Sequence, residues 1–115
     1  MCTLRWFSLL LTAILIAWVL PGVVNAQDPP VAENVVLVHG LYADGSSWIH
    51  VIPYLQRAGL KVTAVQNLLT SLADDVAATR RALALQDGPT VLVGHSFAGT
   101  IISEAGDDPK VSAKE

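Results

Sequence analysis

Cysteine is nearly absent from this sequence, because the chain of 115 residues contains only Cys2. A framework of disulfide bonds is therefore excluded, and so is a zinc site built from cysteines. Basic residues are also few: seven Lys and Arg stand against ten Asp and Glu, for a formal net charge of −3. Phosphate contacts need clustered Lys and Arg, so this balance argues against a nucleic-acid partner. The length allows one domain at most.

Long hydrophobic runs are lacking except at the N-terminus, where an apolar stretch extends from Trp6 to Leu20. Arg5 precedes it, Pro21-Gly22 interrupts any helix after it, and Ala26 supplies a small residue for a signal peptidase. This order predicts a secretory signal peptide over residues 1–26, cleaved after Ala26, and hence a secreted or periplasmic protein. An uncleaved membrane anchor is the alternative, although the run is shorter than the roughly 20 residues that span a bilayer.

The remainder divides into a polar linker, residues 27–33, and a partial domain, residues 34–115. Continuous apolar runs without alternation predict strands buried on both faces, as in parallel sheets. The predicted strands are Val35–Val38, Lys61–Val65 and Thr90–Val93, and the predicted helices are Ser47–Ala58, Leu72–Gln86 and Phe97–Ala105. The order βαβαβα predicts a three-layer α/β fold with right-handed crossovers and strand order second, first, third. The third strand then forms an edge, where a strand begun by Lys110-Val111 would pair.

Local signals refine two of these helices. Pro53 inside the first helix predicts an irregular first turn, and Gly59 is its expected left-handed stop. The second helix opens on a capping box of Ser71 and Asp74. Its apolar stripe is predicted to comprise Leu72, Val76, Thr79 and Leu83, with Asp74, Ala78 and Arg81 on the opposite face in water.

The segment with the strongest chemical signal is VLVGHSFAGT, residues 91–100. A strand that runs into Gly94-His95-Ser96 and then into a helix is the context of a nucleophilic serine on a strained turn. Such a turn needs small residues two positions before and after the serine, and Gly94 and Ala98 stand there. Ser96 is therefore the candidate nucleophile. The N–H of Phe97, at the start of the helix, is a candidate donor to a developing oxyanion.

A second signal is His39-Gly40 at the end of the first predicted strand. The loop after this strand supplies the other oxyanion donor in such an architecture, and Gly40 permits close approach of the backbone. By position, that donor is the N–H of Leu41.

Together these stretches, VVLVHGLYADGSSW and VLVGHSFAG, resemble the α/β-hydrolase superfamily, and its small single-domain members most of all. The resemblance runs from about Asn34 to the end. It implies Ser96 as nucleophile, with the amides of Leu41 and Phe97 as oxyanion hole. It also implies hydrolysis of a small-molecule, ester-like substrate with no cofactor and no metal. No pattern indicates an oligomeric state.

The three histidines receive other roles. The resemblance implies that His39 is structural and shapes the oxyanion loop. His95 is expected to point into the packing, and His50 to be an exposed helical residue. Trp48 is interpreted as a packing residue under the loop. The spacing Gly94-x-Ser96-x-x-Gly99 does not favour a dinucleotide site, because a serine at the middle position would obstruct the pyrophosphate.

No histidine follows Ser96, although the superfamily order is Ser, then Asp or Glu, then His. The acids after Ser96 are Glu104, Asp107, Asp108 and Glu115, and none suits the triad position. We therefore expect an N-terminal portion of an exported hydrolase, without efficient turnover on its own. The alternatives are a non-catalytic ligand-binding fragment and a membrane-anchored interaction protein.

Overall fold

In a computed structural model of the chain, residues 31–115 are described. The predicted signal peptide lies outside them. The strands are β1 (Asn34–Val38), β2 (Lys61–Val65), β3 (Thr90–Gly94) and β4 (Val111–Lys114), and the α-helices are α1 (Ile52–Arg57), α2 (Leu72–Ala84) and α3 (Ala98–Ala105). All strand pairs are parallel, and the sheet order is β2-β1-β3-β4. Within residues 31–115, no helix combines the length and the apolar character needed to cross a membrane.

The central position of β1 follows from its composition. All five residues are buried, and β1 pairs with β2 on one side and with β3 on the other. Val36 and Val38 face one side of the sheet, whereas Val35 and Leu37 face the opposite side, because side chains alternate along a strand. The run Val35–Val38 has no polar position, so both of its faces can be buried only where the strand lies in the middle layer of the fold. The predicted α/β fold is thus confirmed.

Helices cover both faces because the crossovers run in opposite directions. The connection from β1 to β2 moves one way along the sheet, whereas those from β2 to β3 and from β3 to β4 move the other way. Right-handed crossovers then place α1 on one face and α2 with α3 on the other. The main core lies under α2 and α3, and it includes Val36, Leu92, Leu83 and Ile101.

Helix α2 begins as predicted but is buried on a wider surface. The Ser71 hydroxyl oxygen accepts the N–H of Asp74 at 3.1 Å and donates to the Asp74 carboxylate. The predicted stripe lies inward, but Ala78, which we expected to face water, is buried in the core. The reason is that α2 packs against α3 as well as against the sheet, so a single stripe underestimates its contact surface.

The first helical region is split, as the proline predicts. A short 3₁₀ helix covers Gly45–Trp48, and α1 begins only at Ile52. Pro53 then stands in the first turn, where its missing N–H costs nothing. His50 lies exposed in the turn between the two pieces and not within a helix. Gly59 ends the region with φ of +87°, the left-handed stop that was predicted.

The sheet edge differs from the expectation of three strands. β4 forms and pairs with β3, from Thr90 opposite Val111 to Leu92 opposite Lys114. The register shifts between Thr90 and Val91, and the amide of Gly94 still finds an acceptor in the carbonyl of Glu115 at 2.9 Å. β3 is therefore an inner strand, and the edge belongs to β4, most of whose residues are exposed.

Candidate active site

The turn after β3 holds Ser96 in a backbone conformation that is rare for a residue with a side chain. Its φ is +58°, in the left-handed region. Such a conformation costs about 1–2 kcal/mol outside glycine, so the surrounding structure must impose it. The His95 amide donates to the Val38 carbonyl at 3.1 Å, and the Ser96 carbonyl accepts the Gly99 amide at 2.9 Å. Hydrogen bonds to β1 on one side and to α3 on the other thus fix the backbone around Ser96.

Two small residues make room for this turn. A Cβ on Gly94 would lie 2.8 Å from the Ala98 carbonyl oxygen and 3.1 Å from the Ile102 side chain. Ala98 itself is fully buried in the core. A larger residue at either position would push α3 away from β3, so the requirement for small side chains follows from the close approach of helix and strand.

The turn after β1 lies directly against Ser96. A Cβ on Gly40 would come within 3.0 Å of the His95 carbonyl oxygen and 3.1 Å of the Ser96 Cβ. Only glycine permits this approach without displacement. The turn after β1 and the turn after β3 are therefore in contact, which brings Leu41 to the neighbourhood of Ser96.

Leu41 and Phe97 line one cavity of about 100 Å³, together with residues 69–72 and Asp75. Within residues 31–115, neither the Leu41 amide nor the Phe97 amide donates a hydrogen bond. Phe97 immediately precedes α3, whose N-terminus favours negative charge. Free amide donors beside a cavity at a helix N-terminus are suited to hold an anionic oxygen.

His39 is buried, and both of its ring nitrogens are occupied. Nε2 accepts the amide of Asn67 at 2.9 Å, and Nδ1 lies 2.9 Å from the Gly40 carbonyl oxygen. With both nitrogens engaged in this way, the ring has no free position for exchanging a proton with a substrate. The Ser96 hydroxyl makes no hydrogen bond to any of the described residues.

His95 contradicts its prediction, because it is exposed and not packed. A side chain at Gly94 would point toward α3, so the side chain of His95, the next residue, points to the opposite face of the sheet. There it lines a cavity of about 230 Å³ with Ser47, Trp48 and Val51. Trp48 is half-buried in this cavity. Its indole N–H is buried without a partner among the described residues.

Two residues of the site were missed by the sequence reasoning, Asn67 and Asp75. Both are buried, at 4% and 1% exposure. Asn67 contacts His39 twice, while the Asp75 carboxylate accepts the amide of Leu69 at 2.9 Å. Leu69 also has a left-handed backbone, with φ of +58°. The available signal was the position of Asn67, a polar residue just beyond β2 at the edge of the sheet that carries His39.

The charges near this edge are acidic. The segments 39–51, 66–75 and 95–101 contain Asp44, Asp74 and Asp75 but no Lys or Arg. A hydrogen bond from the Ser46 hydroxyl lowers the pKa of Asp44. Hydrogen bonds from the hydroxyls of Thr70 and Ser71 lower the pKa of Asp74. These two carboxylates are therefore ionised at neutral pH.

Two of the acids that follow Ser96, Glu104 and Asp107, lie at the far end of α3. Asp107 comes after the C-terminal end of α3, where its carboxylate pairs with Arg80 at 3.3 Å. Arg80 also donates to the carbonyl of Glu104. Among the residues that the structure describes, no group of three or more His, Cys, Asp or Glu could hold a metal ion.

Comparison with known proteins decides the family. The family model described as the alpha/beta hydrolase family matches residues 35–113, which is more than half of the chain. This chain belongs to the alpha/beta hydrolase family. Both turns described above fall within the matched residues.

Two crystal structures are similar to this chain. One is of a histidine-to-alanine variant of PytH, with 26% identity and a TM-score of 0.63. The other is of the pyrethroid hydrolase PytH with BIF, with 25% identity and a TM-score of 0.62. Each covers 72% of this chain, which spans only 39% and 38% of the respective PytH chains. A search of the curated proteins finds no match to this sequence.

Proposed function

We propose that this chain carries the nucleophile and the oxyanion hole of a serine hydrolase that acts on small ester-like molecules. Ser96 Oγ bonds to the acyl carbon, its proton passes to a general base, and the carbonyl oxygen becomes an oxyanion held by the amides of Leu41 and Phe97. The C–O bond to the alcohol then breaks, and the alcohol leaves with the proton. Water cleaves the acyl-serine in the same way, which releases the acid and restores Ser96.

The observation that carries this proposal is the left-handed backbone of Ser96 in contact with Gly40. Strain of this kind persists only where the rest of the fold enforces it, and it exposes the hydroxyl at the carboxyl end of the sheet. Leu41 and Phe97, whose amides are the proposed oxyanion donors, line one cavity. Each oxyanion donor contributes about 10²–10³ in rate in enzymes of this kind.

The general base is the part of the mechanism that the described residues do not supply. His39 is fully engaged, and the Ser96 hydroxyl makes no hydrogen bond to residues 31–115. We therefore expect the 115-residue chain to react slowly at Ser96 and not to turn over efficiently. An oxyanion hole and binding alone leave a residual acceleration of roughly 10³–10⁴ over water, which is enough to detect.

The test is selective labelling with an alkyl fluorophosphonate, in which Ser96 Oγ bonds to phosphorus and fluoride leaves. We expect Ser96 to react at least about 100-fold faster than any other serine, since the proposed oxyanion amides of Leu41 and Phe97 would stabilise the charge that develops when Ser96 reacts. Peptide mass mapping over time gives the rate at each serine. Ser96→Ala should abolish the fast label. Ser103→Ala is the matched control, because Ser103 is an exposed serine that bonds only to the Gly99 carbonyl.

Label that appears first on Ser46 or Ser47, or that survives in Ser96→Ala, contradicts the nucleophile assignment. Efficient release of product by the 115-residue chain contradicts the expectation of slow turnover. Ligand binding without labelling, unchanged in Ser96→Ala, favours the binding-fragment alternative instead.

The proposed substrate is uncharged and apolar. Exposed apolar side chains flank the candidate site, among them Leu41, Tyr42 and Leu69. The nearby charges are carboxylates, which repel anions. The similarity to a pyrethroid hydrolase supports a small-molecule substrate. A fluorophosphonate with a neutral alkyl chain should label Ser96 faster than one that carries a carboxylate, and equal rates in low salt would contradict this preference.

Export of the protein is a separate proposal that rests on residues 1–26. The apolar run from Trp6 to Leu20 and the small residue Ala26 support cleavage by a signal peptidase. Intact mass of the protein isolated from cells should correspond to a chain that begins at Gln27. A mass that retains residues 1–26 would favour the membrane-anchored alternative.

A further inference from the structure

Asn67 holds His39 at two points. Its main-chain N–H donates to His39 Nε2, and its side-chain Nδ2 donates to the His39 carbonyl oxygen, both at 2.9 Å. Both residues are buried, so the two hydrogen bonds lie away from bulk water. The pair thus fixes both the ring and the backbone of the residue that begins the β1 turn.

The first of these bonds selects the tautomer of the imidazole. A main-chain N–H can only donate, so Nε2 must carry a lone pair and no hydrogen. In the neutral ring the hydrogen then resides on Nδ1, which can donate to the Gly40 carbonyl oxygen at 2.9 Å. Asn67 therefore determines that His39 is a donor toward Gly40.

The bond to Gly40 in turn orients the Leu41 amide. The Gly40 carbonyl and the Leu41 N–H belong to one peptide unit, and no peptide bond in the described residues is cis. The C=O and N–H of a trans peptide point in opposite directions. With the Gly40 carbonyl turned toward the imidazole, the Leu41 N–H is turned away from it.

We propose that Asn67 is a positioning residue for the oxyanion amide of Leu41 and acts through His39: its main-chain N–H selects the tautomer of the ring, and its side chain holds the His39 carbonyl. This inference rests on the proposed function of Leu41. The Asn67 side chain is also unfavourable for stability in one respect, because its Oδ1 is buried without a partner among the described residues. A polar residue kept at such a position supports a dedicated role. A buried acceptor without a donor lowers stability, and an apolar residue at this position would avoid that loss.

The segment that carries Asn67 is itself fastened to α2. The Asp75 carboxylate accepts the Leu69 amide two residues further along, and this holds Leu69 in its left-handed conformation. Asn67 thus lies between the end of β2 and a fixed turn. A residue held on both sides can impose a geometry on its neighbour instead of adapting to it.

The experiment compares Asn67→Asp with Gln66→Glu in the full chain. In Asn67→Asp a carboxylate oxygen replaces the Nδ2 donor and faces the His39 carbonyl oxygen, so the turn should reorient. Gln66→Glu makes the same chemical change one residue earlier, where the exposed Oε1 only accepts the Gly45 amide and a carboxylate can replace it. We expect fluorophosphonate labelling of Ser96 to slow at least about 10-fold in Asn67→Asp. This is less than the roughly 10²–10³-fold loss of rate that follows complete removal of one oxyanion donor, because the Leu41 amide is displaced and not removed. In Gln66→Glu the rate should stay unchanged.

Nuclear magnetic resonance provides a readout that does not depend on reactivity. In the wild-type chain we expect an ¹⁵N–¹⁵N coupling across the hydrogen bond from the Asn67 amide to His39 Nε2, and a hydrogen on Nδ1. The chemical shift of the Leu41 amide should move in Asn67→Asp but not in Gln66→Glu. Asn67→Ala, which retains the main-chain donor, should give a smaller change in shift and rate.

The outcomes separate this inference from the proposed function. If wild-type Ser96 is not labelled, the proposed function fails, and the shift of the Leu41 amide alone decides the positioning role. If His39 carries its hydrogen on Nε2, or if folded Asn67→Asp labels at the wild-type rate with an unmoved Leu41 amide, the inference is overturned. Should Asn67→Asp not fold, the wild-type coupling and the Asn67→Ala comparison decide.

Discussion

The two turns that meet at Ser96 are built by different means. The turn after β1 is held by hydrogen bonds from side chains, since His39 and Asn67 fix the peptide that ends in Leu41. The turn after β3 is held by close packing. The small residues Gly94 and Ala98 allow α3 to approach β3 closely, and Ser96 between them has a positive φ. The first turn should therefore be sensitive to donors and acceptors, and the second to volume. Substitutions in each turn test this difference.

The largest effect is expected from Gly94→Ala. The added Cβ would lie 2.8 Å from the Ala98 carbonyl oxygen, so α3 must move or the strand must bend. We expect a loss of about 3 kcal/mol in the free energy of unfolding, the upper range for an overpacked core site. Urea denaturation followed by circular dichroism measures it. Gly99→Ala is the control: its Cβ meets nothing within 4 Å, and the helix should gain about 0.5–1 kcal/mol. Equal losses in both variants would show that the turn after β3 is not governed by volume.

A smaller loss is expected from Asp75→Ala. The Leu69 amide would lose its acceptor in a partly buried position, which costs about 1–2 kcal/mol in the free energy of unfolding. Asp75→Asn retains an oxygen acceptor and should recover at least half of that loss. If the two variants are equally stable, the carboxylate does not hold the turn through its hydrogen bond.

Relief of strain should have a smaller effect of the opposite sign. Ser96→Gly removes the penalty of a left-handed backbone, so the free energy of unfolding should rise by about 1 kcal/mol relative to Ser96→Ala. Thermal unfolding of the two variants under identical conditions provides the comparison. A glycine variant no more stable than the alanine variant would mean that Ser96 is not strained.

The smallest effect concerns pH. Hydrogen bonds from Thr70 and Ser71 keep the pKa of Asp74 in the folded chain below its ordinary value of 3.8. A lowered folded-state pKa adds stability above the unfolded-state value, and this stability disappears as the pH falls through the folded-state pKa. We therefore expect stability to decline below about pH 4 less steeply in Asp74→Asn than in the wild type. Glu104→Gln serves as control, because the Glu104 side chain makes no hydrogen bond within residues 31–115. Identical slopes for wild type and Asp74→Asn would contradict the expectation.

Much of the fold was predictable because its signals are local. The run Val35–Val38 has no polar position, and so it could only be an inner strand. Ser71 is followed three residues later by an acid, which marks a helix start whatever the helix packs against. The strained Ser96 was also predictable, since the small residues around it are a requirement of the turn itself.

The rest depends on contacts between distant segments. Ala78 was assigned to water because a periodic stripe describes one contact face, and the second face of α2 is created by α3. Asp75 follows Asp74 and reads as another acid in the first turn of a helix. Its burial arises from the left-handed turn at Leu69, for which the sequence offers no glycine as a signal. The two hydrogen bonds of Asn67 likewise depend on where β2 ends beside His39.

The central place of β1 also determines the order in which the chain can be completed. Its partners both come later along the sequence: Asn34 pairs with Lys61 on one side and with Thr90 on the other. The loop between β1 and β3 must close before the contacts between these strands can form, and its closure costs conformational entropy. All-parallel sheets form slowly for this reason. During synthesis, the strand that ends in His39 therefore waits for residues of β3 to emerge from the ribosome. The Val38 carbonyl finds the His95 amide only then, so the two halves of the candidate site form late and together.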